Sequence, residues 1–258
     1  MSALGAQSDL RFRVEHALIL VNMFTQNVKP RGRGRPPGQT PQGAAARDRL
    51  YAIAIKRFAK QGYESTTLRD VAKEAGVSVG LLYRYFPSKR AVITALYDEL
   101  SAEYARQALE MPRGKWRDRF IFALKTSLQV LGPHRVALRA LIPVLVGDPE
   151  EGVFAESVAF SRLRVQRVFE EAVVGSTDAP APAVAAAVGR LLYLVHLAVL
   201  LWWLLDRSSK QRATAALVLL TQQILPSTAL TLRLPPVRRF VISTDELVRE
   251  ALFESEQH

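Results

Sequence analysis

The chain has no cysteine among its 258 residues. That rules out disulfides, thiolate catalysis and cysteine-ligated zinc or iron–sulfur centres. Its four histidines, His16, His134, His196 and His258, are too scattered to mark a metal cluster, so neither a metal nor a cofactor is expected. It has no glycine-rich phosphate loop, no GxSxG and no internal repeat. No His, carboxylate or Lys cluster suggests a titrating pocket, so the chain is not expected to be an enzyme. Strand signals are missing from Ser88 to Leu225. Long apolar runs are also scarce: the most apolar stretch, Leu191 to Leu205, has 15 residues, is bounded by Arg190 and Asp206, and contains His196. A spanning helix needs about 20 apolar residues, so a helix buried on all sides is expected and no membrane. The opening segment, LRFRVEHALILVNMF, is too charged for the core of a signal peptide, so export is not expected and the location is read as cytoplasmic. Two readings of residues 1 to 28 stay open: a frayed extra helix, or a natural start at Met23.

What the chain does have is concentrated in residues 67 to 89, TLRDVAKEAGVSVGLLYRYFPSK. Thr67 is placed to cap a helix, Asp70 three residues on completes a capping box, and Leu68, Val71, Ala72 and Ala75 make one apolar face. Small Ala72 lets a second helix approach. Gly76 supplies the positive φ of a sharp helix-to-helix turn. Val77 enters the core, Ser78 caps the second helix, and Leu82 and Phe86 point inward. Val79, Gly80, Leu81, Tyr83, Arg84 and Tyr85 are left on the outer face, and an arginine with two tyrosines suits bases and phosphates.

Charge singles out the same region. Residues 29 to 90 hold 14 Lys/Arg against 4 Asp/Glu, while residues 91 to 258 hold 19 against 18. Confinement of the positive charge to the helix-turn-helix stretch is the electrostatic footprint of a phosphate-binding module. Upstream, KPRGRGRPPGQTPQG (29 to 43) is too rich in Pro and Gly for a helix or a central strand and reads as a flexible arm. Its Arg31, Arg33 and Arg35 either follow an A·T-rich minor groove, as an AT-hook does, or act as a disordered basic linker. DNA contact is expected on both readings.

The segment GVSVGLLYRYFPSK resembles the DNA-binding segment of the tetracycline-repressor (TetR) family, whose usual form is GVS, a small residue, LY, an aromatic or His, Phe and Lys. The likeness extends upstream through RDRLYAIAIKRFAKQGYESTTLRDVA and covers roughly residues 44 to 100. It implies an all-α fold of about nine or ten helices: a three-helix DNA-binding head (44 to 90) and a larger effector-binding and dimerisation body (91 to 225); residues 226 to 258 depart from it as a C-terminal extension. The first head helix is read as Ala45 to Gln61, closed by Gly62. Body helices are expected at about 88–110, 115–131, 134–146, 150–174, 183–206 and 209–225. Residues 230 to 242, LTLRLPPVRRFVI, carry two prolines and a short β-like run, and a last helix is read from Asp245 to Glu254.

The resemblance further implies a homodimer on a palindromic DNA operator, released by a small-molecule effector. Thr67, Tyr83, Tyr85 and Lys89 match family positions that grip phosphates, and Arg84 suits bidentate contact with guanine. The last two body helices would form the dimer interface, through Val195, Val199, Trp202, Trp203, Leu217 and Leu220. Trp202 and Trp203 lie about 100° apart on a helix, so one can serve the interface and the other the protomer core. Trp116, Phe120, Tyr193 and His196 are the effector-site candidates among the body's aromatic and polar groups, which also include Phe122, Phe154 and Phe160; core packing is the competing reading for most of them. The few polar groups on these helices favour an apolar or amphipathic effector. The rival functional class is an architectural DNA binder that uses arm and head without an effector.

Overall fold

The computed structural model describes residues 41–253. The basic arm with Arg31, Arg33 and Arg35 lies outside them, as does the opening segment.

The head is built by local rules. α1 (Pro41–Gln61) begins four residues before the expected Ala45, because proline's fixed φ suits the first helical turn. Leu50, Ala54 and Phe58, one helical repeat apart, are its buried stripe, and Gly62 at φ +89° closes it. α2 (Leu68–Ala75) carries the capping box in full: Thr67 Oγ1 accepts from the Asp70 N–H and the Asp70 carboxylate accepts from the Thr67 N–H. Gly76 sits at φ +67°, so the chain reverses at once into α3 (Val79–Tyr85), whose Ser78 cap accepts from the Leu81 N–H at 3.2 Å. Ala72 is fully buried where the two helices meet. Leu82 and Phe86 are buried as expected, and Val77 packs on the same core half-buried.

Ser88 caps α4 (Lys89–Ala108), which leads into the body. α5 (Trp116–Leu131) follows, then a 3₁₀ turn (Gly132–His134), α6 (Arg135–Ala140) and α7 (Ile142–Gly147). The helix expected over 134–146 is therefore broken: the α7 N–H ladder is interrupted near Pro143, and the chain bends at Leu141. A larger departure follows. Residues 148–158, expected as the start of a helix over 150–174, form turns and one 3₁₀ turn (Glu156–Val158), and α8 (Ala159–Val174) starts nine residues late. Asp148 is the cause, since its carboxylate accepts from the Glu150 and Glu151 N–H groups and offers the backbone a turn instead of a helix.

α9 (Pro182–Leu205) lies along α8, and at Gly189 the two backbones approach so closely that a Cβ would sit 2.6 Å from the Glu170 Cα. α10 (Arg212–Thr231) continues through Pro226, where the expected helix stopped. The ring costs one internal hydrogen bond, but Leu225 and Leu232 on either side are buried and hold both halves in place. The β-like reading within 230–242 is overturned by α11 (Pro235–Leu252), a continuous helix that starts on its proline pair. There is no strand among the described residues. α11 packs on α9 and is pinned by Asp245, whose carboxylate receives two bonds, at 2.7 and 2.5 Å, from Arg190.

By length and composition alone, two segments among the described residues are apolar enough to cross a membrane: α9, with mean hydropathy 2.1, and Ser209–Thr231, with 1.3. α9 is longer than the 15-residue apolar stretch because its alanine-rich first turns extend it to 24 residues. Half of its most apolar window is buried within the protein.

Candidate nucleic-acid interface and body cavity

The second helix of the helix-turn-helix presents Val79, Gly80, Tyr83 and Arg84 to solvent, with Leu81 and Tyr85 half-buried beside them. That outer face is held firmly from below. Arg49 Nη2 donates to the Ala75 carbonyl at 2.5 Å, where α2 ends, and Arg57 pairs with Glu74 at 2.5 Å, so two of the basic residues of α1 serve the head's own structure. Lys89 is similarly engaged: its Nζ donates to the Tyr63 carbonyl at 2.9 Å and lies 4.2 Å from the centre of the Tyr63 ring. The Thr67 hydroxyl donates to the Asp70 carboxylate at 2.6 Å, and these bonds hold the exposed Asp70 carboxyl below its usual range. Thr67 and Lys89 thus flank the recognition helix with their side chains fixed by intramolecular bonds, whereas Tyr83 and Arg84 project from it.

The body contains a cavity of about 400 Å³, within the size range of sites for small organic molecules. α4, α5, the broken α6–α7 pair, the 153–158 segment, α8 and α9 all contribute to its wall. Leucines and valines dominate that wall. Val146 and Phe154, both well exposed, line it too and mark where it reaches the surface. Its polar groups are few. His196 is almost wholly buried; its Nε2 lies 2.8 Å from Ser127 Oγ and its Nδ1 has no partner among the described residues. Burial pushes its pKa down to about 3, so the ring is neutral at physiological pH. Tyr104 stacks on the His196 ring and donates to the Ala123 carbonyl at 3.2 Å.

Of the four effector candidates, the structure brings two to the cavity. Tyr193 and His196 line it. Trp116 and Phe120 do not: Phe120 is fully buried against Phe169, and the Trp116 N–H anchors the start of α5 on the Asp178 carboxylate at 2.8 Å. The reason is position along the helix: Phe120 shares a face of α5 with Ser127 and Leu131, but it is these two, about two turns or more further on, that reach the cavity. Ser127, Tyr97, Tyr104 and Arg162 also line the cavity and were missed, because they come from three helices far apart in sequence and share no motif.

The cavity wall is also the floor of the head. Leu138, Leu145, Trp203 and Leu204 line the cavity and belong to the same apolar core as Leu50, Phe58, Leu82 and Phe86. A polar link runs beside it: Tyr63 of the head donates to the Glu151 carboxylate, Arg90 contacts both Glu150 and Glu151, and the Tyr97 hydroxyl donates to the Glu151 carbonyl at 3.3 Å. Glu151 sits in the segment that goes on to form the cavity mouth at Val153 and Phe154.

The interface candidates also divide. Val195, Trp202 and Leu220 are exposed and Leu217 is half-buried. Val199 and Trp203 face inward, 5% and 4% exposed, so neither offers a surface to a second copy. Trp203 instead packs in the shared core, with Arg135 over its ring and donating to its carbonyl at 2.8 Å. Leu219, Leu220, Ile224 and Leu230 continue the exposed apolar strip along α10.

A short capped pair of helices with a left-handed glycine between them, a basic surrounding and an outward Tyr–Arg face defines a helix-turn-helix DNA-binding module. Residues 50–96 match the family model of bacterial regulatory proteins of the tetR family. The likeness to that family therefore lies in the head, residues 50–96. It is 40% identical over 57 residues to the HTH-type transcriptional repressor KstR2 of Mycolicibacterium smegmatis, a match covering 22% of this chain and 28% of that protein. Over 136 residues it is 29% identical to the HTH-type transcriptional regulator EthR of the same species, covering 49% of this chain and 58% of that protein. The matches therefore span less than two thirds of these relatives. The fold as a whole is similar to that of a tetR-family transcriptional regulator from Streptomyces coelicolor, with a TM-score of 0.57 at 18% identity, over 79% of this chain and 89% of that one.

Proposed function

We propose that this chain is a cytoplasmic, homodimeric transcriptional repressor that binds a palindromic operator and is released by a small apolar or amphipathic effector held in the body cavity. The observation that carries the reading is the double membership of Leu138, Leu145, Trp203 and Leu204, which touch both the cavity and the head's core. A molecule that pushes on those side chains changes the seat on which the recognition helix rests, because packed interiors repack rather than compress. The Glu151 link to Tyr63 and Arg90 gives the cavity mouth a second grip on the head.

Arg84 reads a base, Tyr83 and Tyr85 contact phosphate, and Val79, Gly80 and Leu81 lie against the groove. Thr67 and Lys89 contribute at the edges, where their intramolecular bonds fix the approach. Arg31, Arg33 and Arg35 add charge on the neighbouring DNA. The exposed strip of Val195, Trp202, Leu220 and their neighbours is larger than the scattered surface leucines of a monomer and is covered by a second copy.

Sequencing the DNA selected by the purified protein from a genomic pool tests this. A two-fold symmetric site with half-sites about 34 to 36 Å apart supports the repressor reading. Broad A·T-rich recovery without a palindrome favours the architectural alternative. On the recovered site, Arg84→Ala should cost about 1 to 3 kcal/mol and relax preference at one position per half-site; an equal loss on all DNA would make Arg84 a phosphate contact.

A further inference from the structure

Most arginines of the body are accounted for by a partner: Arg119 holds the carbonyls of Ala172 and Glu171, Arg164 pairs with Asp98, and Arg190 with Asp245. Arg162, on the cavity wall, is different. Among the described residues only its Nη1 finds hydrogen-bond partners, reaching the Ala155 carbonyl at 3.1 Å and the Val153 carbonyl at 3.4 Å. Its Nε is buried with no partner, and no carboxylate among the described residues lies within ion-pair distance of it. Its guanidinium rests 5.7 Å from the centre of the Phe253 ring. A cation turned toward an apolar cavity without a counter-charge is costly, and the cost is relieved by an anion that arrives with the ligand.

Tyr193 lines the same cavity. It is 2% exposed, yet its hydroxyl makes no hydrogen bond among the described residues. Burial pushes that hydroxyl up and the charge of Arg162 opposes the shift, which places the two groups within electrostatic reach of one another. The remaining wall is hydrocarbon, with Leu100, Leu131, Val165, Leu197 and Leu201 prominent.

We propose that the cavity takes an apolar molecule ending in a carboxylate, with the carboxylate on the Arg162 guanidinium and the Tyr193 hydroxyl and the apolar body among the leucines. This rests on the reading of the cavity as the effector site and specifies its chemistry. A guanidinium offers a planar pair of donors that matches a carboxylate, and the phenol adds a third. One arginine balances one negative charge, so a singly charged head fits better than a phosphate dianion. An amine is repelled by Arg162, and a neutral alcohol leaves its charge unpaired.

Calorimetric titration of the full chain, without DNA, with dodecanoate, dodecanol and dodecylamine below their aggregation limits tests the proposal. Dodecanoate should bind at least about tenfold more tightly than dodecanol, the scale of a charge-assisted hydrogen bond, and dodecylamine least. Arg162→Gln should erase the preference for the acid over the alcohol. Because Arg162 also holds the Val153 and Ala155 carbonyls, two further variants guard against a folding artefact. Arg162→Lys should keep part of the preference, and Tyr193→Phe, which disturbs no bond in the protein, should reduce it several-fold. Equal binding of acid and alcohol to the wild type, no binding of either, or a preference that survives Arg162→Gln would each overturn the proposal. Addition of the selected operator separates this from the repressor reading. If dodecanoate binds as expected yet leaves the operator complex intact, the carboxylate site stands and release by an effector at that site falls. If acid and alcohol release the operator equally, the carboxylate preference falls and effector release stands.

Discussion

The head and the body of this chain obtain their structure in different ways. In the head both helices after the first start on a side-chain cap, at Thr67 and Ser78, and Ser88 caps the helix that leads out of it. Its core is filled, with Phe58, Ala72 and Leu82 at 0% exposure. None of the body helices α5, α8, α9, α10 and α11 is capped by the side chain of its own N-cap residue; α5 starts instead on the Asp178 carboxylate from across the body, and α10 on Asp206 and Ser208 from the preceding turn. The body encloses a cavity and leaves an apolar strip in water. Caps contribute about 1 kcal/mol each and act within one turn, so the head is stabilised from within its own sequence. The body relies on long-range burial, and its two unfinished features, the cavity and the strip, are completed by a ligand and a second copy in the function proposed above. A reading head must hold one shape; a sensing body must be able to change.

The largest test of that contrast separates two adjacent tryptophans. Trp203 is buried where the body meets the head, while Trp202 is 49% exposed on the strip. Trp203→Glu would place a charge in the shared core and should cost about 5 kcal/mol or more, enough to abolish cooperative folding. Trp202→Glu should leave the folded protomer intact and convert dimer to monomer. Circular dichroism melts and native mass together read both outcomes. A wild-type chain that is monomeric at micromolar concentration would remove the second-copy half of the comparison.

A smaller difference is expected between leucine-type contacts in the two regions. Phe58→Ala empties a filled site in the head and should cost about 3 to 5 kcal/mol. Leu197→Ala removes a side chain that already faces the cavity on one side, so fewer contacts are lost and the cost should stay below about 2 kcal/mol. Urea denaturation of the two variants measures the gap. Equal losses would mean that the cavity is not open in solution.

How much of each region was legible follows the same division. After the first head helix, whose start was misplaced by four residues, the helices that follow were readable almost to the residue from Thr67, Asp70, Gly76, Ser78 and Ser88, because a cap or a left-handed glycine acts on neighbours three or four positions away. In the body the helix pattern was visible, but its ends were decided by distant contacts. Asp148 took the backbone of 148–158 into turns, Pro226 failed to stop a helix anchored by Leu225 and Leu232, and α11 replaced an expected β-like run because Arg190 holds its Asp245. The cavity was the least legible part. His196 and Tyr193 could be nominated as polar or aromatic groups on an apolar helix, but Ser127 lies 69 residues from His196, and the isolation of Arg162 shows only when its surroundings are assembled.

The smallest expected effect sharpens the comparison through pH. Neither His16 and His258 nor the buried His196 belongs to the head, which has no histidine between residues 44 and 90. In the unfolded chain a histidine titrates near 6.5, whereas burial holds that of His196 at about 3 in the fold. Above pH 6.5 the ring is neutral in both states and contributes nothing to the pH dependence. Between about 6.5 and 3 the unfolded state binds the proton and the folded state does not, so stability falls as pH falls. The slope is at most about 1.4 kcal/mol per pH unit. From pH 7 to pH 5 the loss from this group should reach about 1 to 2 kcal/mol, within the limit set by that slope. His196→Gln keeps a polar atom for Ser127 but does not titrate, so the difference between wild type and variant in urea midpoint at pH 7 and pH 5 isolates the term from the carboxylates. Hydrogen exchange at pH 5 locates it: amides of α5 and α9 should lose protection in the wild type relative to the variant, while those of α2 and α3 should not. A loss of protection shared equally by head and body would show that the two unfold as one unit, and the separation drawn here between a self-stabilised head and a responsive body would not hold for acid.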